Sequence, residues 1–471
     1  MNTRTETDSL GEVEVPGDAY WGAQTERARA NFPISGLPPD PTLVTAYLRQ
    51  KRASAIANRD LGFLEEPVAG AVIRAAEEIA DGALRDQFVV DPFQAGAGTS
   101  LHMNVNEVLA NRAGEILGGA LGEYRPVHPN DHVNFGQSTN DTFPTAIRVA
   151  SCLAGAELDR ELGELESALR DQAGEMEGVV TAGRTHLQDA LPITLGQVFT
   201  GYADCVGRGR ADLGAACELL HELGLGGTAV GTGVNRHRDY PRRAVKELAR
   251  STGFPFRVTG SPIALHAGTQ DFARFAAALK GIALELGRLA NDLRLMGSGP
   301  TSGIGEIELP AVQPGSSIMP GKVNPVMAEC LNMVAFHVTG AEAATAAASG
   351  AGQFQINVMT PVIAFEILFS IRILENGVRV FRERCVEGIR ARPETARRFA
   401  ERTVALGAVL NPRIGYARAA EIVKESVRRG VPVAEVAAEA LGIPVAEARE
   451  LLAPERWTRP RVLDAKEEDE G

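Results

Sequence analysis

Between Phe272 and Met296 the apolar side chains fall at Phe272, Phe275, Leu279, Ile282, Leu286, Leu289, Leu293 and Met296, at intervals of 3,4,3,4,3,4,3. That register cannot alternate across a strand. It lines one face of a helix about seven turns long and gives it a bundle-type seam. Leu158, Leu162, Leu165 and Leu169 repeat the spacing, and segments 193–223, 326–349 and 361–390 read as helices of comparable length. About five long helices are therefore expected between residues 140 and 390. Shorter helical stretches (42–60, 67–83, 104–118) precede them, separated by loops rich in Pro, Gly and Asn. Short helices follow near Pro393, Pro412 and Pro432, where proline suits a first helical turn. The expected fold class is mainly α, in three parts: an N-terminal helical and loop domain (1–138), a central long-helix bundle (139–391) and a small C-terminal helical domain (392–471). The last dozen residues read as a frayed, solvated tail. Strand and helix nowhere alternate as a Rossmann-type sheet requires. The small-residue stretch 338–352 suits either close helix approach, in a bundle or at a subunit interface, or an exposed alanine-rich helix.

Composition narrows the function classes. The 471 residues carry 48 Lys plus Arg against 60 Asp plus Glu, a net charge of -12 with no basic block, which argues against a nucleic-acid partner. No apolar run reaches membrane-span length, and the start, MNTRTETDSLGEVEVPG, lacks the features of a signal peptide, so no membrane partner and a cytoplasmic address are expected. Cys152, Cys205, Cys217, Cys330 and Cys385 are scattered and never spaced CxxC, and read as reduced core thiols.

Familiar cofactor and metal motifs fail on inspection. Gly315 to Lys322 has five residues between its glycines, Pro320 among them, and Val323 where a phosphate loop needs Ser or Thr. The run 224–233 (GLGGTAVGTG) has no strand pattern before it and reads as close-packed or mobile backbone. His128 and His132 have a zinc-like spacing, but the sequence HPNDH has Pro129 inside and no Glu at the second position. No cofactor and no metal are expected.

Four loops instead concentrate small hydroxyl and amide residues: 96–106 (GAGTSLHMNVN), 128–141 (HPNDHVNFGQSTND), 183–188 (GRTHLQ) and 315–325 (GSSIMPGKVNP). One such segment is an ordinary turn, whereas four together suggest a shared polar site. With mostly neutral donors, and Lys and His among them, it suits a small polycarboxylate whose negative charge moves during reaction.

Read together, these loops resemble the fumarase/aspartase superfamily over nearly the whole chain. GSSIMPGKVNP at 315–325 is similar to that superfamily's mobile signature loop, and GQSTNDTFPTA (136–146), GRTHLQDALPITLGQ (183–197) and GTAVGTG (227–233) follow in the expected order. The resemblance implies a mostly helical homotetramer with active sites composed from three subunits, and reversible anti β-elimination giving fumarate. It implies Ser316 as the base that removes the C3 proton, on a loop hinged by Gly315 and Gly321. Lys322 and Asn324 would hold the C1 carboxylate, and Ser138, Thr139 and Ser317 the other, which becomes the aci-carboxylate. Thr99, Asn140 and His186 would line the leaving-group pocket, Thr185 would help seat the substrate, and Glu329 would pair with His186. A second carboxylate site near Arg125 and His128 is also implied, although HPND reads equally well as a turn.

Both branches share the loop, so the leaving group rests on smaller differences. GAGTS (96–100), STND (138–141) and INVMTPVI (356–363) resemble aspartases; YWGAQT (20–25), LGGTAVGTG (225–233) and GSGPTSGIGEI (297–307) resemble fumarases. Because Thr99 and Thr139 belong to or adjoin the pocket while Trp21 is expected to pack, the expected reaction is that of an L-aspartate ammonia-lyase, with class II fumarase as the alternative. A non-catalytic helical assembly is the alternative of another class, and the presence of Ser316, Lys322, Asn324, His186 and Glu329 argues against it. His102 stands where the superfamily usually has Asn, either a tolerated exchange or a change in substrate range.

Overall fold

The computed structural model describes Asn2–Pro460, so of the expected frayed tail all but Pro460 lies outside the described residues. An antiparallel hairpin opens the chain, β1 (Thr3–Asp8) and β2 (Gly11–Pro16). Helices α1 (Ala23–Asn31), α2 (Pro41–Asp60), α3 (Glu66–Ala80) and α4 (Thr99–Ile116) follow. Next come α5 (Thr139–Glu175), the hairpin β3 (Val180–Thr185) and β4 (Gln188–Thr194), and α6 (Leu195–Leu219). After α7 (Tyr240–Thr252) and α8 (Pro262–Ala267) stand three more long helices, α9 (Gln270–Met296), α10 (Val326–Gly350) and α11 (Thr360–Arg384). Short helices over 393–402, 411–414, 416–429, 433–441 and 445–451 complete it. The only sheets among the described residues are two-stranded.

The chain divides into two compact units, and each of the five long helices contributes to both. The first comprises 1–161, 209–284 and 334–376. In it α5 meets α9 through the Arg148–Asp271 ion pair, with the guanidinium 4.9 Å over the Phe272 ring, and Lys280 of α9 pairs with Glu342 of α10 at 2.5 Å. In the second unit (162–208, 285–333, 377–471) Tyr202 of α6 donates to Asp292 of α9, and Asn332 of α10 donates to the Gly287 carbonyl. The α9 seam is buried along its whole length, as are Leu158, Leu162, Leu165 and Leu169 of α5. No helix among the described residues is long and apolar enough to cross a membrane.

Helix α10 answers the question left by the small-residue stretch. Ala335, Val338, Ala341, Thr345 and Ala348 face inward, while Met333, Phe336, Gly340, Ala343 and Ala347 form an exposed stripe, with Phe336 72% exposed. All five cysteines are free, but only Cys152 and Cys385 are buried; Cys205 and Cys217 are half-buried and Cys330 on α10 is exposed, so these three are not the core thiols expected. Trp21 is buried as expected.

Candidate active site

In the first unit the site residues gather at two helix starts. Gly98 precedes α4 with φ 82°, and a Cβ there would stand 2.1 Å from the Phe143 ring, so only glycine permits the close turn that presents Thr99 as the first, exposed residue of α4. The Ala97 N–H donates to the Val358 carbonyl at 2.7 Å, which brings INVMTPVI against GAGTS. At α5, Ser138 Oγ accepts from the Asn140 N–H (3.3 Å) while Asp141 reaches back to accept from the Ser138 N–H (3.0 Å), the reciprocal pattern of a capping box with Asp as the acid. The other Asp141 oxygen accepts from the Gly226 and Thr228 amides at 2.9 and 3.0 Å, which ties the glycine-rich run down as packed backbone. Burial raises the Asp141 pKa, and those three amide donors oppose it. Asn140 donates Nδ2–H to the Ala229 carbonyl at 2.7 Å, so its Oδ1, without a partner among the described residues, is an acceptor.

Thr139 lies 2.6 Å from Nδ1 of His102, a ring buried to 1% exposure and stacked on Tyr47. On its far side the ring meets Lys51, a fully buried lysine whose ammonium also donates to Asn134 Oδ1 and Gln137 Oε1, each at 3.0 Å. Burial pushes Lys51 down to about 7, against the pull of the Asp141 carboxylate. It pushes His102 well below its usual value, with the Lys51 charge adding to the effect.

The second unit carries the other residues. Thr185 and Gln188 pair across the end of the β3–β4 hairpin, and the two-residue turn between them is His186 and Leu187, with φ of 55° and 59°. Such turns favour Asn and Gly, because a side chain in the left-handed region costs roughly 1–2 kcal/mol per residue. The hairpin is held by buried Glu306, which accepts from Arg184 at 2.8 Å and from the Thr181 hydroxyl at 2.6 Å, and His186 stands exposed at the tip.

Loop 315–325 closes on itself. The Gly315 N–H donates to the Lys322 carbonyl and Asn324 Nδ2–H to the Gly315 carbonyl, both at 2.8 Å. A Cβ on Gly315 would lie 2.6 Å from that Lys322 oxygen. Ser316 Oγ accepts two backbone N–H groups, from Ile318 at 3.2 Å and Met319 at 2.9 Å. Ser317 and Lys322 are exposed, and among the described residues Lys322 has no acceptor. Glu329 sits in the first turn of α10, and within the chain no hydrogen bond joins it to His186.

The expected residues thus fall into two sets. Thr99, Ser138, Thr139 and Asn140 belong to the first unit; Thr185, His186, Ser316, Ser317, Lys322, Asn324 and Glu329 belong to the second. His128 Nδ1 accepts from the Asn130 and Asp131 amides and so caps a π-helical turn over Pro129–Val133, and His132 Nδ1 accepts the His128 N–H. The sequence reading missed Lys51, Asn134, Gln137 and Asp141. Tyr47, Lys51, Ser54 and Asn58 are spaced 4,3,4 on the buried face of α2, the one signal that marks Lys51 as internal.

The Lyase family matches residues 11–340, and the Fumarase C C-terminus family matches 407–459. A class II fumarate hydratase of Bradyrhizobium diazoefficiens is 46% identical over 459 residues, covering 97% of both chains. An aspartate ammonia-lyase of a Bacillus species is 42% identical over 468 residues, covering 99% of this chain and 100% of that one. The crystal structure of a Brucella melitensis fumarate lyase:delta crystallin superposes with a TM-score of 0.94 at 45% identity, covering 98% of this chain and 100% of that one. The mainly helical architecture is therefore that of the fumarate lyases, and the chain belongs to the fumarase/aspartase superfamily of lyases.

Proposed function

We propose that the protein is an L-aspartate ammonia-lyase that reversibly eliminates ammonia to give fumarate. The observation that carries this reading is Asn140: with Nδ2 committed to the Ala229 carbonyl, it offers a fixed acceptor at a position assigned to the leaving group. An ammonium group is all donor and needs acceptors around it, and the Thr99 hydroxyl can serve as another. Thr139, in the STND form that resembles the aspartase branch, supports the same assignment.

In this mechanism Ser316 removes the C3 proton. Serine is a poor base in water, and the amides of Ile318 and Met319 already point at its oxygen, which favours the alkoxide. Lys322 and the second Nδ2–H of Asn324 hold the C1 carboxylate. Ser138, Thr139 and Ser317 donate to the other carboxylate, and these hydrogen bonds strengthen as it gains charge, which is where rate is gained. His186 faces the leaving group, with Thr185 beside it, and its pairing with Glu329, which the single chain does not make, forms between subunits of the assembly. The exposed stripe of Met333, Phe336, Gly340, Ala343 and Ala347 supports self-association, here a homotetramer in which three subunits supply each site.

The 46% identity to a fumarate hydratase favours the second reading, hydration of fumarate to L-malate. Fumarate formation, followed by its ultraviolet absorbance, is measured from L-aspartate and from L-malate. The expected result is faster turnover of aspartate; faster turnover of malate overturns the assignment.

A further inference from the structure

We propose that Lys51 and His102 are a positioning pair that fixes the Thr139 hydroxyl as a hydrogen-bond donor toward a bound carboxylate. This rests on the reading that Thr139 lies at a carboxylate subsite.

The direction of each bond follows from the amides. Asn134 Nδ2 donates to the Gln137 carbonyl at 3.3 Å, which turns its Oδ1 toward Lys51. Gln137 Nε2 donates to the Val133 and Phe135 carbonyls at 3.1 and 3.3 Å, which does the same for its Oε1. Three acceptors therefore surround Nζ: Asn134 Oδ1, Gln137 Oε1 and His102 Nε2 at 2.9 Å. They match the three N–H groups of the ammonium that Lys51 carries below a pH of about 7. A proton on Nε2 would oppose one of those N–H groups, so Nε2 is bare and the single ring proton sits on Nδ1. Asn134 Oδ1, 3.0 Å from Nε2, is a second acceptor on the same ammonium.

Nδ1–H then donates to Thr139 Oγ1 across 2.6 Å, which occupies a lone pair of that oxygen and leaves the hydroxyl proton for an outside acceptor. His102 is 1% exposed whereas Thr139 is partly exposed, so the outside acceptor comes from the open side. Without the relay, Thr139 could turn its proton onto the ring and present a lone pair to the substrate. Burial of His102 beside the Lys51 charge keeps the ring neutral, as the relay requires.

Amide isosteres separate the two ends of the ring. Asn places its nitrogen near Nδ1 and keeps the donor to Thr139; Gln places its oxygen near Nε2 and keeps only the Lys51 contact. Succinate, which has both carboxylates and no leaving group, is titrated calorimetrically at pH 6, where Lys51 is charged, into wild type, His102→Asn, His102→Gln, Thr139→Val and the His102→Gln/Thr139→Val double variant. Dissociation constants about tenfold weaker are expected for His102→Gln and for Thr139→Val, with no further loss in the double variant and less than about twofold change in His102→Asn. Unchanged affinity in Thr139→Val overturns the carboxylate assignment itself. Weakening in Thr139→Val with additive effects, or with His102→Asn as weak as His102→Gln, overturns the pair alone. Solid-state 15N spectra of histidine-labelled wild type at pH 6, with His102→Asn to assign the ring, give a check that does not depend on affinity. A protonated Nδ1 with a bare Nε2 is expected, and a protonated Nε2 overturns the proposal.

Discussion

At the start of α5 the polar groups behind Thr139 are committed inside the chain: Lys51 has three acceptors, His102 bridges Lys51 to Thr139, and Asp141 holds three amides. Loop 315–325 is the opposite. Its backbone clasps itself through Gly315, Lys322 and Asn324, while Ser317 and Lys322 stand in solvent with no buried support. The first region is preorganised by burial, at the cost of desolvating a lysine and a carboxyl; the second keeps its groups hydrated. Division of labour follows from this difference. Groups that hold a charge in place gain from a rigid, dry frame, whereas a group that must reach a proton gains from a segment able to move.

The contrast is most exposed at Ser316. If the loop supplies the base, Ser316→Ala lowers kcat about 10³-fold or more while KM, circular dichroism and the assembly stay close to wild type. Activity equal to the parent would remove the loop's chemical role.

Two glycines give a paired test. Gly315→Ala drives a Cβ against the Lys322 carbonyl at 2.6 Å in an exposed loop, so kcat is expected to fall about 100-fold with Tm nearly unchanged. Gly98→Ala drives one into Phe143 at 2.1 Å in a buried corner with φ 82°, so Tm is expected to fall by the equivalent of about 2–4 kcal/mol. Thermal unfolding together with steady-state kinetics on both variants decides it. Comparable Tm losses in the two would mean that the loop is as much a part of the folded frame as the α5 corner.

These regions also differed in how far the sequence disclosed them. The long helices were legible because Phe272 to Met296 and Leu158 to Leu169 carry their period in adjacent turns, and α9 and α5 indeed bury those residues. The loop was legible because GSSIMPGKVNP concentrates its chemistry in eleven consecutive residues. The β3–β4 hairpin was not, since its turn is His186–Leu187 and lacks the Asn or Gly that signals a tight reversal. Lys51 was hidden for another reason. A lysine on a helix reads as solvated, and its acceptors lie 51, 83 and 86 residues away, so only the tertiary fold brings them to it.

The smallest expected effect concerns that lysine and the price of a rigid corner. Lys51 titrates near 10.5 when unfolded and at about 7 in the fold, where it faces His102 from α4, Asn134 and Gln137 from the preceding loop, and Asp141 from α5. Between those two values the folded chain binds fewer protons than the unfolded one. Stability therefore rises with pH across that window, by up to about 1.4 kcal/mol per pH unit from this group alone, and its penalty is complete below pH 7. Lys51→Met removes the titration. Its Tm, lower than wild type because Asn134, Gln137 and His102 lose their donor, is expected to climb less between pH 7 and 9 than wild type does, a difference of a few degrees measured by calorimetric scans at equal protein concentration. Parallel curves would mean that water reaches Nζ and that the α5 corner is no drier than the loop. A flatter curve in the variant would locate the buried charge there, in the dry corner and not in the hydrated loop.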